Sequence, residues 1–298
     1  MKKGWIVLVA VLLLTACNQE KVENKGETDA MTSAQTDTKT GSSLAHTNLV
    51  SERYDVAYGD KKLYGVLTAP AAYKEQKLPL LVLSHGFNNT LENYEEYAQK
   101  IAEQGYLVYR FDFYGGSTRS KSGGEDMLDM SVKTEVEDLT QVVAKLSGEK
   151  FVDKGKILLL GASQGGVVST LYAAEHPEMV HKLMLIFPAF VLFDDVRETY
   201  ANYRENPPEV VTHRNAQLGR SYLTDALAID IKDRQKRVTA PTLIIQGTAD
   251  TVVPYRYAQE ASKNIPDAQL VTVDGGGHWI DASFNKVAFP AIESFLKD

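Results

Sequence analysis

The residues best placed to do chemistry gather around Ser163, in the run Gly161-Ala162-Ser163-Gln164-Gly165. Ahead of it lies Lys156-Ile157-Leu158-Leu159-Leu160, a short apolar run of the kind that a fully buried strand shows. Behind it, Gly166 to Ala174 reads as a packed helix. A serine on so sharp a strand-to-helix turn takes a strained backbone conformation. Its hydroxyl then stands clear of the sheet, and the next backbone N–H can face a developing oxyanion. This is the equipment of nucleophilic acyl transfer.

A serine nucleophile needs a base and a group that orients the base. Two further apolar strands deliver candidates at their C-terminal ends. Thr242-Leu243-Ile244-Ile245-Gln246 leads into Gly247-Thr248-Ala249-Asp250, and Gln269-Leu270-Val271-Thr272-Val273 leads into Asp274-Gly275-Gly276-Gly277-His278. The glycines predict a flexible, close-approaching loop that swings the His278 imidazole toward Ser163. The chain order Ser163, Asp250, His278 is that of the α/β-hydrolases and differs from other serine-hydrolase folds. A fourth strand, Leu80-Leu81-Val82-Leu83-Ser84, precedes His85-Gly86-Phe87-Asn88-Asn89. The backbone N–H groups of Phe87 and Gln164 are the expected oxyanion donors. His85 reads as a brace for that loop, because His278 already fills the base role.

These segments fit a regular alternation. Strands are predicted at 54–58, 63–69, 80–84, 106–112, 156–160, 182–187, 242–246 and 269–273. Helices are predicted at 91–104, 131–147, 164–175, 255–263 and 283–296. The alternation predicts one α/β domain: a mostly parallel eight-stranded sheet, helices on both faces, and a cap inserted between two core strands at about 188–237. No Cys/His cluster suggests a metal, and the chemistry requires no cofactor.

Composition predicts one catalytic domain, residues 49–298, behind an export segment. The 298 residues are 44% hydrophobic, enough for one large core. Met1-Lys2-Lys3 is a positive n-region, and Trp5 to Leu14 is an apolar stretch too short to span a bilayer comfortably. Leu14-Thr15-Ala16-Cys17 resembles the lipobox of bacterial lipoproteins. That resemblance implies a signal peptide over residues 1–16, a diacylated Cys17, and an extracytoplasmic protein anchored to the cell membrane. Cys17 is the only cysteine, so no intrachain disulfide or thiol nucleophile competes. Residues 17–48 then read as a lipidated cysteine and a disordered polar tether. The net charge of −7 argues against nucleic acid and against electrostatic docking on anionic lipid.

The motifs together resemble the serine esterases of the α/β-hydrolase fold, a group that includes cinnamoyl (feruloyl) esterases and monoacylglycerol lipases. The carriers are His85-Gly86-Phe87, Arg110-Phe111-Asp112-Phe113-Tyr114-Gly115, Gly161-Ala162-Ser163-Gln164-Gly165-Gly166, Gly247-Thr248-Ala249-Asp250 and Gly277-His278. Two departures stand out. Ala162 replaces a histidine, and Gly115-Gly116-Ser117 replaces Gly-His-Gly, which leaves the 114–124 loop undefined. The resemblance implies that Tyr222, in Gly219-Arg220-Ser221-Tyr222-Leu223, contacts the acid part of a substrate, with Asp195 near a phenolic hydroxyl. The expected activity is hydrolysis of small to medium carboxylic esters, cinnamoyl or feruloyl esters among them. A serine peptidase or acylglycerol lipase on the same fold, and a non-catalytic surface-anchored binding module, are the alternatives.

Overall fold

The computed structural model describes residues 48–297. The expected signal peptide, Cys17 and all of the tether before residue 48 lie outside the described residues. In chain order the elements begin with β1 (Leu49–Arg53), β2 (Val56–Tyr58), β3 (Lys61–Leu63), β4 (Gly65–Pro70) and β5 (Leu78–Ser84). They continue with α1 (Glu95–Ala102), β6 (Leu107–Phe111), α2 (Val132–Ser147), β7 (Val152–Ala162), α3 (Gln164–Glu175) and β8 (Lys182–Ile186). A cap follows, built from α4 (Leu192–Asn202), β9 (Val210–His213), β10 (Ala216–Gly219), α5 (Ser221–Leu227) and α6 (Ile231–Arg237). The chain then returns to β11 (Thr242–Gly247), α7 (Arg256–Asn264), β12 (Ala268–Val273) and α8 (Ala282–Lys297).

Eight strands form one sheet in the order β1-β4-β6-β5-β7-β8-β11-β12. The β1–β4 and β4–β6 pairings are antiparallel, and every pairing from β6 through β12 is parallel. Strand alternation divides the core between two faces. Leu80, Val82, Ile157 and Leu159 point to one face, where α2, α3, α6, α7 and the cap residues Val196 and Leu223 close the larger apolar cluster. Leu81, Leu83, Leu158 and Leu160 point to the other, covered by Tyr97, Ala98 and Ile101 of α1 and Phe284, Ala288 and Ile292 of α8. Parallel strands covered on both faces must be apolar throughout, which is why these runs are so legible in the sequence.

The N-terminal boundaries differ from the expectation. Residues 54–58 are not one strand: β1 ends at Arg53, and β2 pairs with β3 in a separate hairpin. Both pieces are short and half exposed, so hydrophobicity marks them weakly. The segment expected as a helix over 91–104 opens with a 3-10 turn, Leu91–Tyr94, before α1. Strand β7 starts at Val152, ahead of the expected 156, because its polar residues 153–156 continue the strand without burial.

Helix α2 carries an unusual core. Its buried face includes Glu135 and Asp138 alongside Val132, Leu139, Val142, Val143 and Leu146. Asp138 accepts hydrogen bonds from the Tyr58 hydroxyl and, at 2.8 Å, from the Tyr114 N–H. Glu135 Oε2 accepts one from Gln164 Nε2 at 2.8 Å. Among the described residues no cation sits within ion-pair distance of either carboxyl. Burial therefore pushes Glu135 up to about 8, against the Gln164 hydrogen bond and with the Asp138 charge adding to the rise. Burial likewise lifts Asp138 to about 6, despite the donors Tyr58 and Tyr114.

Two stability predictions follow from this packing. A methyl on Gly165 would lie 2.2 Å from the Ser84 carbonyl oxygen and 2.4 Å from that of His85, both backbone. Gly165→Ala should therefore lose ~3 kcal/mol or more in urea denaturation, since neither strand nor helix can retreat. Gly59→Ala, at φ +53 in open space, should lose only ~1 kcal/mol. The second concerns Glu135, whose carboxyl titrates higher in the folded chain than in the unfolded one. It favours folding below about pH 4.5, and that contribution is lost as pH rises toward 8. Glu135→Gln should melt near the wild-type temperature at about pH 4 and well above it near pH 8, by up to ~4 kcal/mol in stability. Parallel pH dependence of the two proteins would contradict the assignment.

Candidate active site

The parallel strands β5, β7, β11 and β12 all end on one edge of the sheet, and the turns leaving them carry Phe87, Ser163, Asp250 and His278. In open α/β sheets this is where ligands bind. Ser163 joins β7 to α3 with φ 53° and ψ −121°, a conformation that a side chain adopts only under constraint. The constraint is visible on both sides of the residue. Its N–H donates to the Ile186 carbonyl at 2.9 Å, and its carbonyl accepts from the N–H groups of Gly166 and Ala189, each at 2.9 Å.

The Ser163 hydroxyl lies 3.0 Å from His278 Nε2, and His278 Nδ1 lies 2.7 Å from Asp250 Oδ2. Asp250 is held by four donors. Oδ1 accepts from the N–H groups of Val252 and Val253 at 2.9 and 2.8 Å, and Oδ2 accepts from His278 and from Gln246 Nε2 at 2.9 Å. Burial works to raise the carboxyl, but the hydrogen bonds from His278, Val253 and Val252 outweigh it and hold Asp250 below the usual range. The ionised acid thus fixes the proton on Nδ1 and leaves Nε2 free to accept one from Ser163. The Phe187 ring lies 4.4 Å from the imidazole and limits its rotation. The loop before His278 is tied down by three hydrogen bonds. Gly276 N–H donates to Val273, Ala249 N–H to the Gly276 carbonyl, and Gly275 N–H to Thr248 Oγ1. Gly276 serves close approach, a Cβ there lying 2.8 Å from Val273 Cγ1, and Gly275 supplies the turn at φ +68°.

The amide N–H groups of Phe87, on the loop after β5, and of Gln164, at the start of α3, have no protein acceptor among the described residues. They remain available to an oxyanion. Buried His85 braces this loop: Nδ1–H donates to the Gly86 carbonyl at 2.8 Å, and Nε2 accepts from the Phe113 N–H at 3.1 Å. Burial lowers its pKa, so the ring stays neutral in that tautomer. The 114–124 loop clamps Asn88 from the other side. Asn88 N–H donates to the Gly116 carbonyl at 2.9 Å, and Asn88 Oδ1 accepts from Ser117 Oγ and the Thr118 N–H. A Cβ at Gly116 would lie 2.8 Å from that of Phe113 and 3.2 Å from both Glu135 Oε1 and His85 Cε1. The departure from Gly-His-Gly thus matches a position without room for a side chain.

A cavity of about 230 Å³ opens in front of Ser163. Gly86, Phe87, Asn89 and Asn93 line it from the sheet side, Val191, Leu192, Asp195, Val196, His213, Arg214 and Tyr222 from the cap, and Trp279 and Ile280 at the mouth. Cavities of ~150 Å³ already admit benzene, so an aromatic acyl group fits. Tyr222 is 2% exposed, and its hydroxyl donates to Gln164 Oε1 at 3.1 Å. It therefore presents its ring to the cavity and keeps its hydroxyl behind. Asp195 faces the cavity 3.9 Å from Arg214, its carboxyl raised by burial against the pull of that cation.

Ser163, His278, Phe87, Asp195 and Tyr222 are thus all brought to one cavity, with Asp250 behind the imidazole and Gln164 next to Ser163. Sequence reasoning missed Phe187, His213, Arg214 and Glu135. His213 meets the Phe87 ring edge-on at 5.5 Å and lies tilted against the Tyr222 ring at 5.6 Å. It gets there because Arg214 and Asn215, at φ 46° and 66°, form the tight turn of the β9–β10 hairpin. Asn215 was the available turn signal. For Glu135 the signal was a carboxyl sharing a helix face with Leu139 and Val142.

The chain is similar to known hydrolases. The family model "Serine aminopeptidase, S33" matches residues 75–204, and the model "TAP-like protein" matches residues 226–298. Lipase 1 of Psychrobacter immobilis is 23% identical over 258 residues, 75% of this chain and 76% of its own length. Monoglyceride lipase of Rattus norvegicus is 34% identical over 109 residues, 37% of this chain and 34% of its own. Among solved structures, Est1E from Butyrivibrio proteoclasticus with bound ferulic acid superposes with a TM-score of 0.73 and 26% identity, covering 82% of this chain and 98% of that one. The chain has the α/β-hydrolase fold, and the relatives it matches include esterases and lipases.

Proposed function

We propose that this ester hydrolase is a serine carboxylesterase that works through an acyl-enzyme on Ser163. The observation that carries the reading is the continuous hydrogen-bond line from Ser163 Oγ through the His278 ring to Asp250, at 3.0 and 2.7 Å. In this mechanism His278 Nε2 takes the Ser163 proton as Oγ attacks the ester carbonyl. The resulting alkoxide lies against the N–H groups of Phe87 and Gln164. Collapse breaks the bond to the alcohol, which leaves with the proton from His278. Water, deprotonated by the same imidazole, then releases the acid and restores Ser163.

The preferred acyl group is small to medium and flat, cinnamoyl or feruloyl esters being the leading candidates. The Phe87, His213 and Tyr222 rings on the cavity wall and the ferulic acid bound by Est1E support that choice. Aminopeptidase activity is the second reading, favoured by the name of the matching family model. It needs an acidic group free to bind a substrate ammonium. Asp195, the acid available in the cavity beside the triad, already faces Arg214, which favours the ester. The same proposal holds the enzyme at a membrane through a lipidated Cys17, on the strength of the Leu14-Thr15-Ala16-Cys17 run.

Ser163→Ala should abolish both hydrolysis of p-nitrophenyl esters and covalent labelling by a fluorophosphonate, with the melting temperature nearly unchanged. Asp250→Asn should retain trace turnover, about 10⁴-fold down in kcat. Full activity of Ser163→Ala would refute the mechanism, and faster turnover of aminoacyl anilides than of esters would reverse the substrate assignment. For the acyl preference, His213→Ala leaves the Tyr222–Gln164 bond in place. It should lower kcat/KM for aryl-acrylic esters about five-fold relative to acetate; an unchanged ratio would remove the aromatic wall from the specificity argument. Detergent-phase partitioning of the full chain should disappear in Cys17→Ala, and equal partitioning of the two would exclude the anchor.

A further inference from the structure

We propose that Glu135 is a positioning residue for the oxyanion hole: through the side chain of Gln164 it fixes the amide that receives the oxyanion, and through Tyr222 it couples that amide to the cap. The inference rests on the reading of Ser163 as nucleophile.

Three buried side chains from three separate elements form one chain of hydrogen bonds. Glu135 Oε2 on α2 accepts from Gln164 Nε2 at 2.8 Å, and Gln164 Oε1 accepts from the Tyr222 hydroxyl of α5 at 3.1 Å. Gln164 Nε2 also approaches Met130 Sδ at 3.6 Å. Gln164 is 2% exposed and Glu135 is 1% exposed, so water cannot substitute for either partner. With both ends of its amide occupied, the Gln164 side chain has one permitted orientation. Its backbone follows Ser163 directly, at the residue where the chain leaves a left-handed conformation to enter α3. Holding the side chain therefore holds the plane of the peptide whose N–H faces the substrate.

The second donor is tied to the same chain. The Tyr222 ring meets the Phe87 ring at 6.1 Å, so the cap residue that donates to Gln164 also packs on the residue supplying the other N–H. A buried carboxyl with no cation beside it weakens a core, and an apolar residue there would make a more stable helix contact. Its presence is accounted for by the acceptor it offers to Gln164. Because burial favours the protonated form, this acceptor also adds no full negative charge behind the oxyanion.

The test compares Glu135→Leu, which keeps volume but removes the acceptor, with Glu135→Gln, which keeps an acceptor oxygen. The substrate is p-nitrophenyl acetate, too short to reach the cap. Glu135→Leu should lower kcat ten-fold or more with KM within two-fold, and Glu135→Gln should restore kcat to within three-fold of wild type. Affinity for a phenylboronic acid, which forms a tetrahedral adduct on Ser163, should fall in step with kcat. Affinity for the benzoate anion should not change. A folded Glu135→Leu protein with wild-type kcat would overturn the proposal, as would equal losses in the Leu and Gln variants. If Glu135→Leu does not fold, Tyr222→Phe decides: it removes one hydroxyl and should lower kcat for the acetate two- to five-fold, and an unchanged kcat would equally overturn the proposal. Failure of the underlying reading would look different, as a wild-type protein that fluorophosphonate does not label.

Discussion

The turn between β7 and α3 is the constraint on which the rest of the site depends. Ser163 can hold its left-handed backbone only because strand and helix meet almost at contact distance. Gly165 lies against the carbonyls of Ser84 and His85 at the end of β5. That contact sets the distance between the nucleophile and the loop carrying Phe87. The same turn is gripped from β8 by the Ile186 and Ala189 hydrogen bonds. Nucleophile, oxyanion loop and the start of the cap are therefore positioned by one packed junction. A change of a few tenths of an ångström there would reach all three at once.

Among the described residues, Ser84 Oγ, Ser169 Oγ and Gln246 Oε1 are buried near this junction without a hydrogen-bond partner, but the bonds that hold the triad and its loops each do a second task. Four donors on Asp250 remove its need for water and also orient His278. His85 spends both ring nitrogens on the backbone, which makes it a strut and removes it from acid–base chemistry. The Glu135 and Asp138 carboxyls lie on the apolar face of α2, one reaching the elbow and the other the Tyr114 end of the neighbouring loop. A low-dielectric interior makes such bonds strong and their loss expensive.

How much was legible in the sequence follows from where burial is two-sided. The central strands announce themselves as unbroken apolar runs, so the residues at their C-terminal ends, Ser163, Asp250, His278 and Phe87, could be placed before any coordinates. The edge pieces β1 to β3 are half exposed and gave only an approximate boundary. The cap was opaque beyond its extent. Its hairpin is defined by two left-handed residues, Arg214 and Asn215, and nothing periodic in the surrounding sequence points to a pair of four-residue strands. Glu135 shows a different difficulty: a helical period identifies a buried face, but not the partner that makes a carboxyl tolerable there.

Trp279 stands apart from this packed surrounding. It is 73% exposed, lines the mouth of the cavity, and its ring centre lies 6.3 Å from that of His278. The chain has only one other tryptophan, Trp5, far outside the catalytic residues in sequence. A preparation that lacks the first few residues is thus a single-tryptophan protein whose one indole sits beside the general base. Its emission is an optical readout of solvation at the entrance, sensitive to a ligand that displaces water and to the charge of the neighbouring imidazole. The fold carries its own spectroscopic label at the place where substrate must enter.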